Sequence, residues 1–129
     1  MAFSDKMLEV AKQLQAFGHE TKVSGFTEDY AGKSEEEIER LKLGDKYGRD
    51  AIREFWDKMQ DLDAVLALNF DRKGIAGYIG GNTLMELGFA HVLKLKIFLW
   101  NQIPEIEFYK SEILAVKPIV INGDLTKII

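Results

Sequence analysis

Apolar residues recur at helical spacing along the start of the chain, where Met7, Leu8, Ala11, Leu14 and Phe17 follow Ser4 and stop at Gly18. This spacing predicts an opening helix over Ser4 to Phe17, with Gly18 as its C-terminal cap because glycine enters the left-handed region without a Cβ penalty. A weakly marked extended stretch comes next, around Glu20 to Val23, and then a polar region, Ser24 to Lys46, broken by Gly25, Gly32 and Gly44. Within it Ser34-Glu35-Glu36-Glu37 has capping-box spacing and predicts a short helix to about Leu43, its acidic run forming a solvated first turn. Ile52, Phe55, Trp56 and Met59 then share one helical face between Tyr47 and Gln60, which predicts a longer helix whose stripe serves the core or an oligomer interface.

Beyond Gln60 the pattern changes. Ala64-Val65-Leu66-Ala67-Leu68 is a continuous apolar run, too short for a helix, and reads as a strand covered on both faces. Four glycines fall between Phe70 and Gly81, a loop signal. Thr83 to Leu95 carries Leu84, Leu87, Phe89, Ala90 and Leu93 at helical spacing and leads into the apolar run Ile97-Phe98-Leu99-Trp100. A loop over Asn101 to Pro104, a short helix from Glu107 to Val116, a strand at Ile119 to Ile121 and a polar turn at Asn122-Gly123-Asp124 complete the chain. Strand, glycine loop, helix and strand make a βαβ unit, so the alternation predicts an α/β fold with a parallel sheet between helix layers. About four strands are legible. Because the chain opens in a helix, a first strand that such sheets usually carry is expected to be missing before it. Ligands of parallel sheets bind at the carboxyl ends of the strands, and the segment after Leu68 is such an end.

A length of 129 residues fits a single domain over 1–129, and 47% hydrophobic with 29% charged residues are ordinary globular values. The net charge of −4 offers no cationic surface overall for a polymeric nucleic acid, so none is expected as a partner. The chain has no cysteine, which excludes a disulfide framework and a thiol nucleophile. No apolar run approaches the roughly 18 residues of a membrane span, and no signal-peptide layout opens the chain, so a cytoplasmic protein without a membrane partner is expected. His19 and His91 are the only histidines, too few and too distant for a metal site. His19 reads as a loop residue beside a helix end, and His91 lies off the face of Glu86. Neither metal nor cofactor is expected.

Candidate chemistry concentrates at Gly80-Gly81-Asn82-Thr83 and the helix behind it. Gly80 and Gly81 can adopt positive φ and present bare N–H groups to phosphate or ribose oxygens, helped by the positive end of the helix, although a tight turn alone would explain them equally. Thr83-Leu84-Met85-Glu86 is itself a capping box, so Glu86 either folds back on the helix start or faces a cleft as an ionised carboxylate in the first helical turn. Asn69, at the strand's end, either bonds a ligand hydroxyl or holds the turn. Tyr78 either covers a sugar or base or anchors the loop. Arg72 and Lys73 are loop cations that could attract a phosphate.

The stretch DAVLALN, Asp63 to Asn69, followed by YIGGNTLMELGFAHVLKLKIFLW, Tyr78 to Trp100, resembles the nucleoside 2-deoxyribosyltransferase family. Met85-Glu86-Leu87-Gly88-Phe89-Ala90 is the most specific part, and Gly18-His19-Glu20 fits the family's first helix more loosely. The resemblance implies a flavodoxin-like three-layer α/β sandwich, a homo-oligomer, a small-molecule nucleoside or nucleotide as substrate, and Glu86 as a nucleophile forming a covalent deoxyribosyl intermediate. Another base would accept the sugar in a transferase, and water in the related deoxynucleoside monophosphate N-glycosidases. Asn69, Asp71, Tyr78, Gly80, Gly81, Asn82 and Thr83 are the candidate substrate-binding residues. Gly80 and Phe55 stand where the family's transferases carry two further acids, with Asp57 and Asp71 the nearest substitutes. Gly80 to Glu86 also resembles, in shortened form, the glycine-glycine, threonine, glutamate motif of phosphoribohydrolases acting on nucleoside monophosphates. Two readings follow: an enzyme cleaving or transferring an N-glycosidic bond, or a non-catalytic nucleotide-sensing module of the same fold.

Overall fold

The computed structural model describes residues 4–23, 36–37 and 51–128. Its backbone groups into two compact units, Met1–Lys58 and Met59–Ile129. In the first, helix α1 (Ser4–Ala16) has its deepest point at Val10, only 3% exposed, which sits among half-buried Met7, Ala11 and Leu14 on one face. Phe17, at the end of the predicted stripe, is instead 60% exposed. The helix ends as predicted at Gly18, whose φ is +95°. The N–H of His19 donates to Leu14 and that of Gly18 to Gln15, the paired bonds that close a Schellman motif.

Glu20 to Val23 does not become a strand. Thr21 is instead drawn back to α1, its Oγ1 accepting from Gln15 Nε2 at 2.7 Å. Helix α2 (Ala51–Met59) buries Met59 completely and half-buries Phe55 and Trp56, whereas Ile52 is exposed. The helix expected over Ser34 to Leu43 lies outside the described residues except for Glu36 and Glu37, which are helical, and so does the start of α2 expected at Tyr47.

The second unit is α/β. In chain order it holds β1 (Ala64–Ala67), α3 (Gly81–Val92), β2 (Lys96–Leu99), α4 (Lys110–Ala115), β3 (Ile119–Val120) and a 3-10 turn over Leu125–Lys127. The strands form a parallel sheet in the order β1-β2-β3, with Ala67 opposite Leu99 and Leu99 opposite Val120. Three strands are present among the described residues, against about four expected. The burial expected of the first apolar run belongs to β2, where Ile97, Phe98 and Leu99 are buried between two neighbours, while every residue of β1 is half-buried at the edge of the sheet that the described residues form. Neither of these positions is visible in a hydropathy pattern, because each strand lies in an apolar run. Among the described residues no helix is long and apolar enough to cross a membrane.

Helix α3 ends in a second Schellman motif, in which Leu95 N–H donates to Ala90 and Lys94 N–H to His91. Its left-handed residue is Lys94, with φ +62°. A lysine pays the Cβ penalty that Gly18 avoids at the end of α1. Lys94→Gly is therefore expected to raise stability by about 0.5 to 1 kcal/mol, read as an increased urea midpoint. A lowered midpoint would contradict this account of the cap.

Candidate active site

The three strands finish alike. Asn69, Asn101 and Asn122 each stand two residues beyond the last residue of their strand, and the register brings those strand ends level. Asn69 is 2% exposed and every polar group of its side chain is engaged by backbone. Its Nδ2 donates to the carbonyls of Asn101 at 3.0 Å, Gln102 at 3.1 Å and Gly77 at 3.3 Å, and its Oδ1 accepts from Asn101 N–H at 2.8 Å. Asn101 returns the contact, its Nδ2 donating to the Asn69 carbonyl at 3.0 Å. Asn69 thus holds the loops together rather than presenting a side chain to a ligand. Above this join Phe70 meets Trp100 edge to face at 5.8 Å, and Gly123 packs under the Trp100 ring.

Between β1 and α3 the chain makes a small hairpin. Arg72 and Ile75 exchange backbone hydrogen bonds at 3.1 and 2.9 Å around Lys73 and Gly74, both at positive φ, as a two-residue turn of this hand requires. Asp71 closes its base by accepting from Gly77 N–H at 2.9 Å. Asp71 is exposed and its Oδ1 is engaged in the loop. Lys73 Nζ lies 5.6 Å from the centre of the Tyr78 ring, within cation–π reach. Ile79, 1% exposed, is the apolar anchor of the loop, and half-buried Tyr78 lies across Gly80, with Cε1 3.4 Å from where a Cβ of Gly80 would stand.

Helix α3 begins at Gly81, two residues before the predicted Thr83. Gly80 is the N-cap, in extended conformation with φ −81°, and no side chain caps it. The positive φ expected of Gly80 and Gly81 does not occur; Gly74 and Gly77 are the loop glycines that use it. A Cβ at Gly80 would make only ordinary contacts, and one at Gly81 would meet nothing within 4 Å. Leu84 N–H donates to the Gly80 carbonyl, so the N–H groups of Gly81, Asn82 and Thr83 precede the first intrahelical bond. Among the described residues none of the three has an acceptor.

This helix start also corrects the expectation for Glu86. Thr83 is not the N-cap, so Thr83 to Glu86 is no capping box, and Glu86 accepts no hydrogen bond among the described residues. Glu86 lies beyond the first turn, where the pull of the helix end has decayed. It shares a face with Asn82 and Thr83, at i−4 and i−3, and with fully buried Ala90 at i+4. Glu86 is half-buried, and this burial raises its pKa from 4.5 to about 7. The ionised carboxylate predicted from the helix end is therefore matched near neutrality by its protonated form, because desolvation by burial is the dominant influence on it.

The loop thus assembles Asn69, Asp71, Gly77, Tyr78 and Gly80, and α3 carries Asn82, Thr83 and Glu86 directly behind it. Two residues escaped the sequence reading. Asn101 was legible in the repeated asparagine after each strand. Tyr109 donates its hydroxyl to the Ile79 carbonyl at 2.5 Å, and no local pattern marks it. Its pKa is raised by burial and then by the neighbouring Tyr78. Among the described residues no group of three or more histidine or acidic side chains could hold a metal ion. The chain matches no known protein family, no curated protein and no solved structure.

Proposed function

We propose that this chain is a nucleoside 2-deoxyribosyltransferase-like protein that cleaves or transfers the N-glycosidic bond of a deoxynucleoside or nucleotide, with Glu86 as nucleophile. The observation carrying this reading is that Glu86 is not spent on its own helix: half-buried and unbonded among the described residues, it follows an uncapped helix start. Gly80 and Gly81 support it, because neither φ nor packing among the described residues demands glycine at those positions. Their remaining use is to let sugar or phosphate oxygens approach the N–H groups of Gly81 to Thr83. The consecutive parallel order β1-β2-β3 agrees with one flank of a flavodoxin-like sandwich, the finer fold we assign. Exposed Met85 and Val92 on α3 suit the homo-oligomer that this reading includes.

In the reaction ionised Glu86 forms a bond to C1′ as the bond from C1′ to the base nitrogen breaks with its electron pair, and the departing base takes a proton from solvent. The resulting deoxyribosyl ester passes its sugar to a second base or to water, which restores the carboxylate. Incubation with each deoxynucleoside and deoxynucleoside monophosphate, followed by chromatography of free base, tests this. Base release is expected to rise between pH 6 and 8 as Glu86 ionises, and to fall by at least about a thousandfold in Glu86→Gln. Gly80 at the position of a family acid, and a carboxyl half-protonated at neutral pH, favour the second reading, a nucleotide-binding module without turnover. Binding with no base release would select it. Absence of both would end the nucleotide assignment.

A further inference from the structure

The loop entering α3 is held at its two ends by different means. Upstream, Gly77 is gripped by Asn69 through its carbonyl and by Asp71 through its N–H. Downstream, the Gly80 carbonyl is committed to Leu84 N–H as the first bond of the helix. Between these points Tyr109 alone, among the described side chains, hydrogen-bonds to residues 78–80, and it does so at the Ile79 carbonyl.

That carbonyl and the N–H of Gly80 belong to one planar trans peptide and point in opposite directions. Fixing one therefore aims the other. The need for such a tether is local, because Gly80 and Gly81 lack the Cβ atoms that would restrict rotation of the peptides around them. We propose that Tyr109 is a positioning residue of the Glu86 site, its hydroxyl holding the Ile79–Gly80 peptide so that the Gly80 N–H joins those of Gly81 to Thr83 in facing the ligand. This inference rests on the nucleotide reading above. Tyr78 completes the clamp, lying against Gly80 with its hydroxyl 3.6 Å from the site of a Cβ. Because burial and Tyr78 both push the Tyr109 phenol above its ordinary range, it stays a donor throughout the physiological pH range.

Tyr109→Phe keeps the ring and deletes only the donor, so it separates positioning from packing. The full-length protein and the variant are titrated calorimetrically with each of the four deoxynucleoside monophosphates and the corresponding deoxynucleosides, and amide exchange is followed in both without nucleotide. Affinity is expected to fall about fivefold to tenfold, the effect of one neutral hydrogen bond. Exchange should quicken at Leu84, whose N–H is bonded to the Gly80 carbonyl, while the β2 amides remain protected. Equal affinity in the two proteins, or unchanged exchange at Leu84, overturns the role of Tyr109 and leaves the nucleotide reading standing. Loss of β2 protection without loss of affinity also overturns it, because the hydroxyl would then serve stability alone. A wild-type protein that binds none of the four nucleotides and none of the corresponding deoxynucleosides overturns both.

Discussion

Replacing Gly77 by alanine is expected to destabilise the protein by about 3 kcal/mol or more. Two penalties coincide at this position. Its φ is +66°, where an L side chain is strained, and a Cβ would stand 2.5 Å from the Gln102 carbonyl oxygen. That oxygen is backbone and cannot swing away, and it also accepts from Asn69 Nδ2, so relief would break the join between the strand ends. Gly74 provides the control. It has φ +75° but nothing within 4 Å of a Cβ, so Gly74→Ala should show the conformational penalty alone, about 1 to 2 kcal/mol. Urea unfolding of both variants measures the difference. Equal losses would show that the Gln102 carbonyl yields, and the close approach would then have no structural weight.

Glu86→Gln should change the pH dependence of stability as strongly as it changes chemistry. The folded protein holds the Glu86 proton up to about pH 7, whereas the unfolded chain releases it near 4.5. Between those values the folded state binds more protons, so stability contributed by the neutral carboxyl is complete below pH 4.5 and is lost as pH rises through about 7. The displacement corresponds to about 3 kcal/mol, an upper figure for a half-buried group that water partly screens. Glutamine stays neutral and escapes the loss. Every other titrating group is common to both proteins, so the difference between them isolates this one. Unfolding curves at pH 4 and pH 8 should show Glu86→Gln gaining on the wild type by roughly 2 to 3 kcal/mol. Parallel behaviour across that range would mean that the carboxyl is solvated, and the buried nucleophile would go with it.

The two predictions share a structural origin. Gly77 fixes where the loop leaves the strand ends, and the same loop delivers the chain into α3 with Gly80 as its cap. Had Thr83 opened the helix, Glu86 would stand in the first turn as a capping residue, ionised and engaged. Beginning two residues earlier moves it to the second turn, away from the helix end. A shift that small converts a stabilising cap into an acid with no hydrogen bond among the described residues, which is why helix boundaries matter more to this site than helix existence.

What the residues determined by themselves was whatever depends on near neighbours. Period and run length were enough for α1, its Gly18 cap, the two apolar strands, the helix between them and hence an α/β chain with parallel pairing. The repeated asparagine two residues past each strand was equally present in the string. Tertiary structure alone decided which apolar run became the central strand, since that position is set by the neighbours each strand pairs with. It also decided that Asn69 spends its side chain on Gly77, Asn101 and Gln102, and that Tyr109 reaches Ile79. The same holds for Glu86, whose pKa follows from desolvation. Burial and long-range hydrogen bonds depend on residues distant in the chain, so no local window contains them.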